Sequence, residues 1–184
     1  FMNEVLSDPH TGGVDFVEMY NRSNKVIDLN RMILSQYDTV NNVLLSIEEI
    51  APEGYLLFPQ DYLVLSEDGA AVKAQYATTN GDGFLDMESL PSLNISEGTV
   101  CLATSANIID LFIYDETMQF ALLNSTKGVS LERIDFERPT SDRTNWHSAA
   151  AAVGYATPAY KNSQYNDAGE TDNSIEIMPE VFSP

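Results

Sequence analysis

The chain has 184 residues, enough for one large β domain with a tail, and 28 acidic against 9 basic residues give a formal net charge of -19. This charge repels phosphate backbones and anionic lipid headgroups, and nucleic-acid binding depends on lysines and arginines, which are scarce here. No apolar run approaches the roughly 18 residues of a membrane-spanning helix. The composition therefore predicts no nucleic-acid partner and no membrane insertion.

Short β-rich runs recur along the chain, each closed by glycine, proline, asparagine or aspartate, and helical periodicity is almost absent. Many short strands at this spacing predict an all-β fold, either a sandwich or a barrel. The predicted strands are Phe1–Leu6, Val14–Asn21, Met32–Gln36, Tyr55–Phe58, Tyr62–Ser66, Thr99–Thr104, Ile108–Tyr114 and Val129–Phe136.

The run Ile108–Tyr114 is apolar on both of its faces. One face carries Ile109, Leu111 and Ile113, and the other carries Asp110, Phe112 and Tyr114. Because a strand that is apolar on both faces is usually covered on both, we expect a central strand with a loop over its outer side.

A long connection runs from Glu67 to Gly98, and its segment Phe84–Leu90 is expected to form one short helical turn. The connection concentrates oxygen ligands of the kind that calcium prefers. The sequence therefore gives a calcium hypothesis, although the order of an EF-hand is absent, and a solvated acidic loop without a ligand is the alternative. The candidate metal ligands are Asn80, Asp82, Asp86 and Glu88.

The chain loosens after Trp146, and we expect a domain over residues 1–165. Residues 166–173 are polar and acidic and predict a linker. Residues 174–184 resume a strand pattern, which is either the first strand of a following domain or a final strand of this one.

Residues suited to catalysis are few, and we predict that the protein is not an enzyme. Cys101 lies in an apolar run and is expected to be a buried, inert thiol. His10 and His147 fall in no nucleophile motif, and two distant histidines without a cysteine cluster make a poor zinc site. We expect no cofactor other than calcium.

Aromatic side chains in predicted loops could stack on sugar rings, so they are candidates for ligand binding. Aromatics also fill the ends of sandwiches, and a place in the core is the better explanation for Trp146. The candidate binding residues are Phe84, Trp146, Tyr155 and Tyr160.

An ordered set of motifs spans about residues 1–165. A strand-turn-strand entry motif is followed by an apolar-Asp-Leu step, a Tyr-Leu-Val-Leu strand, a Gly-x-Ser-Leu-Glu-Arg signature and a closing Thr-Pro motif. The segments are 2–6, 13–21, 27–29, 32–34, 59–65, 128–134 and 157–162. In this order they resemble the lamin tail domain family. Two departures are Gln60-Asp61 for the usual Gly-Gly and Ala159 for the usual glycine, where a positive φ would be strained.

The resemblance implies an immunoglobulin-like β-sandwich of the lamin tail type with a non-catalytic role. Glu4 and Glu18 stand at motif positions, and we expect them to hydrogen-bond to loop backbone. Residues 141–158 resemble versions from secreted Bacteroidetes proteins, and residues 179–184 resemble the first strand of a gliding-motility C-terminal module. These likenesses imply an extracytoplasmic setting: secreted, in the outer membrane or on the cell surface.

Three functions follow from these observations. The first is a non-catalytic interaction or spacer domain of a larger secreted or cell-surface bacterial protein, with a protein or polysaccharide partner. The second is a carbohydrate- or protein-binding module attached to a surface hydrolase, which requires an exposed aromatic patch. The third is a hydrolase, which no motif supports.

Overall fold

The computed structural model describes residues 1–166, which form a predominantly β-stranded fold with one short α-helix. Each of the eight predicted strands overlaps an observed strand, so the all-β prediction is confirmed. The helix α1 spans Gly69–Gln75. The strands are β1 Met2–Leu6, β2 Phe16–Tyr20, β3 Ile27–Asp28, β4 Met32–Asp38, β5 Val43–Glu49, β6 Leu56–Leu57, β7 Tyr62–Ser66, β8 Phe84–Asp86, β9 Glu97–Thr104, β10 Ile108–Asp115, β11 Leu131–Arg133 and β12 Trp146–Ser148.

Two main sheets face each other in a sandwich-like arrangement. The six-stranded sheet has the order β12-β11-β1-β2-β7-β8, and the four-stranded sheet has the order β10-β9-β4-β5. All neighbours are antiparallel except β7 and β8, and β3 and β6 form a separate small pair. The described part of the chain contains no helix long and apolar enough to cross a membrane.

The main core lies between the two sheets and follows from alternation along the strands. In β9, Val100 and Leu102 are buried and point at the opposite sheet, and in β10 Phe112 does the same. The Phe112 ring stacks on the Trp146 ring with centroids 3.8 Å apart, which joins β10 to β12 across the interface between the sheets.

The prediction that β10 is a central strand covered on both faces is wrong. β10 is an edge strand, and its Ile109 and Ile113 side chains are 50% and 40% exposed. The face with Asp110 and Phe112 turns inward, where the Asp110 carboxylate accepts a hydrogen bond from the Met2 amide and lies 3.7 Å from the Arg133 guanidinium. An apolar face therefore does not imply a covered face.

The long connection also differs from expectation. Phe84–Asp86 is not a helical turn but the strand β8, because it continues the sheet in parallel beside β7. The helix forms earlier, at α1, where the Asp68 carboxylate caps the first turn by accepting a hydrogen bond from the Ala71 amide. The segment after this cap carries alanine, lysine and glutamine, which favour a helix.

The fold extends to residue 166, whose amide donates to the Ile134 carbonyl at 2.9 Å. The rest of the predicted linker, residues 167–173, and the predicted strand segment 174–184 lie outside the described residues.

Candidate functional site

The residues of the calcium hypothesis have other local contacts. The Asp86 carboxylate accepts a hydrogen bond from the Gly69 amide at 2.7 Å, and the Asn80 carbonyl accepts one from the Gly83 amide. Within residues 1–166 there is no group of three or more histidine, cysteine or acidic side chains placed to hold a metal ion. Calcium at Asn80, Asp82, Asp86 and Glu88 stays a prediction.

The aromatic candidates divide into buried and partly buried side chains. Trp146 is 3% exposed, and its Nε1 donates to the Thr140 carbonyl, so its ring belongs to the core and is not available to stack on a ligand. Phe84, Tyr155 and Tyr160 are partly buried. A binding role for these three residues stays a prediction.

The candidate groups for nucleophilic chemistry lie in separate surroundings. The His10 ring stacks on Tyr76 with centroids 6.1 Å apart, whereas the His147 Nδ1 lies 2.9 Å from the Ser148 carbonyl oxygen. Cys101 is buried as predicted, and desolvation raises the pKa of its thiol, which opposes formation of the nucleophilic thiolate.

The outer face of the six-stranded sheet is covered. Helix α1 and the segment 149–165, which we call the closing segment, pack over this face and form a second apolar cluster with it. The buried members of the cluster are Leu6, Phe16, Val64, Val72, Tyr76, Ala156 and Ala159.

Three glutamates form a row under the closing segment. Glu4 on β1 lies directly opposite Glu18 on β2 and Glu132 on β11, and all three side chains are fully buried. We call this row the glutamate triad. Like charges directly opposite each other on a sheet are unfavourable, so the triad requires donors or protons that offset the repulsion.

Backbone amides of the closing segment supply one donor to each member of the triad. Glu4 accepts from the Thr157 amide at 2.9 Å, and Glu18 accepts from the Ala159 amide at 2.5 Å. Glu132 accepts from the Gln164 amide at 2.8 Å. The expectation that Glu4 and Glu18 bind loop backbone is confirmed, and Glu132 adds a third such contact.

Side chains complete the network. The Ser130 hydroxyl donates to Glu4, the Asn3 amide donates to Glu18, and the Ser163 hydroxyl donates to Glu132. The buried Asn162 joins both layers, since its Nδ2 donates to the carbonyls of Asn3 and Arg133. The triad therefore fixes the closing segment to the sheet at several points.

Protons reduce the charge of the triad. Burial, followed by repulsion from Glu132, raises the pKa of Glu4 to about 8. Burial, followed by repulsion from Glu4, raises the pKa of Glu18 well above its ordinary value. The Thr157 hydroxyl donates to Glu132 at 2.7 Å and lies 3.3 Å from Glu4, so a protonated Glu4 can donate to it in turn. Full burial keeps these carboxyl groups out of reach of a substrate.

The closing segment contains a strained residue. Ala159 has φ +67°, as the replacement of a motif glycine predicted, and Gln60 has φ +66°. The Ala159 methyl group has room because Gly83 lies opposite, where an added Cβ would come within 2.8 Å of it. The hydrogen bond from the Ala159 amide to Glu18 helps to hold this conformation.

The two edge strands of the four-stranded sheet are strongly exposed and apolar. Of the fourteen exposed large hydrophobic residues in the described chain, six lie on β5 and β10, which together contain only fifteen residues. A concentration of this kind is typical of interaction surfaces. The six are Val43, Leu45, Ile47, Ile108, Ile109 and Ile113.

A notch separates the β4–β5 hairpin from the β9–β10 hairpin. Ladder pairing of β4 with β9 ends at Ser35, and beyond it the Thr99 hydroxyl bonds to both the amide and the carbonyl of Tyr37. The resulting hollow has a volume of about 580 Å³. We call it the hairpin notch, and its lining includes Asp38, Leu45, Glu97, Thr99, Ile113 and Asp115.

Comparisons with known proteins identified no relative of this chain. No protein family matches the chain, and neither the curated proteins nor the solved structures include a significant match.

The β5 edge was missed because this strand was not predicted, and the β10 edge was missed because β10 was expected to be central. The apolar β5 residues Val43, Leu45 and Ile47 were a usable signal, since they alternate as in a strand after the turn residues Asn41 and Asn42. The glutamate triad could not be found from spacing, because its members come from three separate parts of the chain.

Proposed function

We propose that this domain is a non-catalytic interaction or spacer module of a larger secreted or cell-surface bacterial protein, with an immunoglobulin-like fold of the lamin tail type. The ordered motifs support the fold assignment, and their likeness to secreted proteins supports the extracytoplasmic location. The sandwich-like pairing of a six-stranded and a four-stranded sheet is compatible with that type.

One observation carries the interaction role: the apolar residues concentrated on β5 and β10. Burial of apolar surface is the main favourable term in protein association, and exposed edge strands are ready to pair with other chains. Glu4 and Glu18, whose pKa is raised by burial, lie instead in the glutamate triad, beneath the closing segment. Their burial favours a structural role over catalysis.

A quantitative binding screen of the 184-residue chain tests the proposal. The panel contains outer-membrane proteins, polysaccharides, peptidoglycan and DNA, each with and without calcium. The proposal expects saturable binding to a protein, at least tenfold weaker in the variant Ile109→Thr/Ile113→Thr. The control Val26→Thr/Leu122→Thr changes two exposed apolar residues away from these edges and is expected to bind as the unchanged chain does.

Three outcomes of this screen would count against the arguments for the interaction role. Binding to DNA would overturn the charge argument. Silence across the panel would remove the interaction role and leave only a spacer. Equal weakening by both variants would show that binding depends on general surface hydrophobicity.

A carbohydrate-binding module is the second candidate, and one hollow favours it. Phe120, which is 45% exposed, lines a cavity of about 360 Å³ together with His147 and Tyr155. An exposed ring beside polar groups suits stacking on a sugar. Saturable polysaccharide binding that Phe120→Ala abolishes, and that Ile109→Thr/Ile113→Thr leaves intact, would favour this candidate over the first.

A further inference from the structure

Among residues 1–166, the outer edge of β10 has no neighbouring strand. Within the described chain, no backbone group of residues 108–114 bonds to an element other than β9, apart from the Leu111 amide, which donates to the adjacent Asp110 carboxylate. Strand edges of this kind accept an added strand, which gains affinity from main-chain hydrogen bonds and specificity from alternate side chains.

The devices that usually protect an edge are weak in β10. The strand contains no lysine, arginine or proline, and Ile108, Ile109 and Ile113 are 46%, 50% and 40% exposed. The other edge strand, β5, is interrupted by a bulge at Ser46, whose φ is +48°. Although β10 has an irregularity near Ile109, its pairing with β9 is regular from Asp110 to Asp115. The β10 edge is therefore the better template for an added strand.

Negative charge at the end of β10 favours a bound chain that carries positive charge. Asp115 lies directly opposite Glu97 on β9, an unfavourable pair of like charges. Arg143 forms an ion pair with Asp115 at 2.6 Å and lowers the pKa of that carboxyl, but Glu97 has no basic partner among the described ion pairs. The half-buried Asp38 lines the hairpin notch with Glu97 and Asp115, and hydrogen bonds from Asn41 lower the pKa of its carboxyl group. A cation from a bound chain would offset this negative charge.

Two acidic occupants are disfavoured by the same charges. A second copy of the chain brings a further net charge of -19, which repels the first. The chain's own segment 175–182 has an apolar pattern but carries two glutamates and no lysine or arginine. We infer that β10 takes up an extended segment of a basic protein partner, with apolar residues against the isoleucines and a lysine or arginine near the Asp115–Glu97 pair at the end of the strand.

This inference rests on the proposed interaction role, and a peptide titration tests it separately. The probes are ten-residue peptides that alternate lysine with valine, glutamate with valine, or serine with valine, measured by fluorescence anisotropy against the 184-residue chain. We expect the lysine peptide to bind at least tenfold more tightly than the serine peptide, with no detectable binding of the glutamate peptide. Higher salt should reduce the preference for lysine, because Glu97 and Asp115 lie at the surface, where salt screens their charges.

Two variants distinguish the contribution of the Glu97 charge to peptide binding from the contribution of the apolar β10 residues. Glu97→Gln should weaken the lysine peptide at least threefold and leave the serine peptide unchanged, whereas the exposed control Glu53→Gln should change neither. Ile109→Thr/Ile113→Thr should weaken both peptides at least fivefold. Equal binding of all three peptides, or indifference to Glu97→Gln, would overturn the basic-partner inference.

Other outcomes identify a different occupant. Dimerisation of the unchanged chain that Ile109→Thr/Ile113→Thr abolishes would make a second copy the occupant. A large gain in peptide affinity on removal of residues 167–184 would indicate that the chain's own segment competes for the edge. If the protein-binding screen succeeds without sensitivity to the β10 variants, the proposed function survives and this inference fails.

Discussion

The two sheets differ in how much of their outer surface is covered. The six-stranded sheet buries its outer face under α1 and the closing segment, although that face contains three glutamates. The four-stranded sheet has four exposed isoleucines, one exposed leucine and one exposed valine on its edge strands. Polarity of the residues therefore does not decide which surface is covered. The covered face uses its polar groups to hold the closing segment, and the exposed edges retain apolar groups for association.

The largest expected effect is a loss of stability as the pH rises. The pKa of Glu4 rises from 4.5 in the unfolded chain to about 8 in the folded protein. Protonation of Glu4 therefore stabilises the folded protein fully below pH 4.5, and this stabilisation is lost as the pH rises to about 8. Glu4 alone contributes a fall of at most roughly 5 kcal/mol in the free energy of unfolding over this range. Glu4→Gln mimics the protonated state of this residue, so we expect the stability of the variant to depend less on pH, with the remaining dependence coming in part from Glu18, whose pKa is also raised.

Urea unfolding at pH 5, 6.5 and 8 measures this difference, with the exposed Glu53→Gln as control. Asp15, whose pKa burial raises to about 6, contributes to the same range in every variant, so the informative quantity is the difference between variants. Parallel pH profiles for Glu4→Gln and the unchanged chain would contradict the raised pKa of Glu4.

Removal of the Asn162 amide should have the next largest effect. Asn162→Ala removes a buried donor from the carbonyls of both Asn3 and Arg133. We expect a loss of about 3 kcal/mol in the free energy of unfolding, because each unsatisfied buried group costs roughly 1–3 kcal/mol. The exposed Asn30→Ala is the control in the same urea titration. Equal stability of both variants would show that the closing segment contributes little.

Two identical substitutions compare the two regions directly. Val72→Thr places a hydroxyl group in the buried layer between α1 and the six-stranded sheet, whereas Val43→Thr places one on the exposed β5. We expect a loss of about 1–2 kcal/mol for the first and less than about 0.5 kcal/mol for the second. Calorimetric melting of both variants checks this difference, and a larger loss at Val43 would reverse the assignment of the two surfaces.

The strands could be predicted from the sequence because local patterns of apolar and turn residues determine them. Alternating apolar residues with turn residues between them located eight strands, and a motif comparison marked Ala159 as a position of strain. The covering of each face is a tertiary property, so the same alternation in β10 led to a wrong central position. The glutamate triad depends on the register of β1 with β2 and β11, which spacing along the chain does not contain.

The smallest expected effect on stability concerns β10. Ile109→Thr/Ile113→Thr keeps two β-branched residues on an exposed edge, so we expect a change within about 0.5 kcal/mol in the free energy of unfolding. Urea unfolding of the double variant checks this. A loss of several kcal/mol would show that these isoleucines serve the core.

Hydrogen exchange of the chain with and without saturating lysine–valine peptide tests most directly whether β10 is the recognition surface. If β10 is the recognition surface, we expect the peptide to slow the exchange of the amides of residues 108–114 and to leave the exchange of residues 149–165 unchanged. Slower exchange confined to residues 149–165 would contradict the account, because it would place recognition on the closing segment and leave the exposed edge without a role.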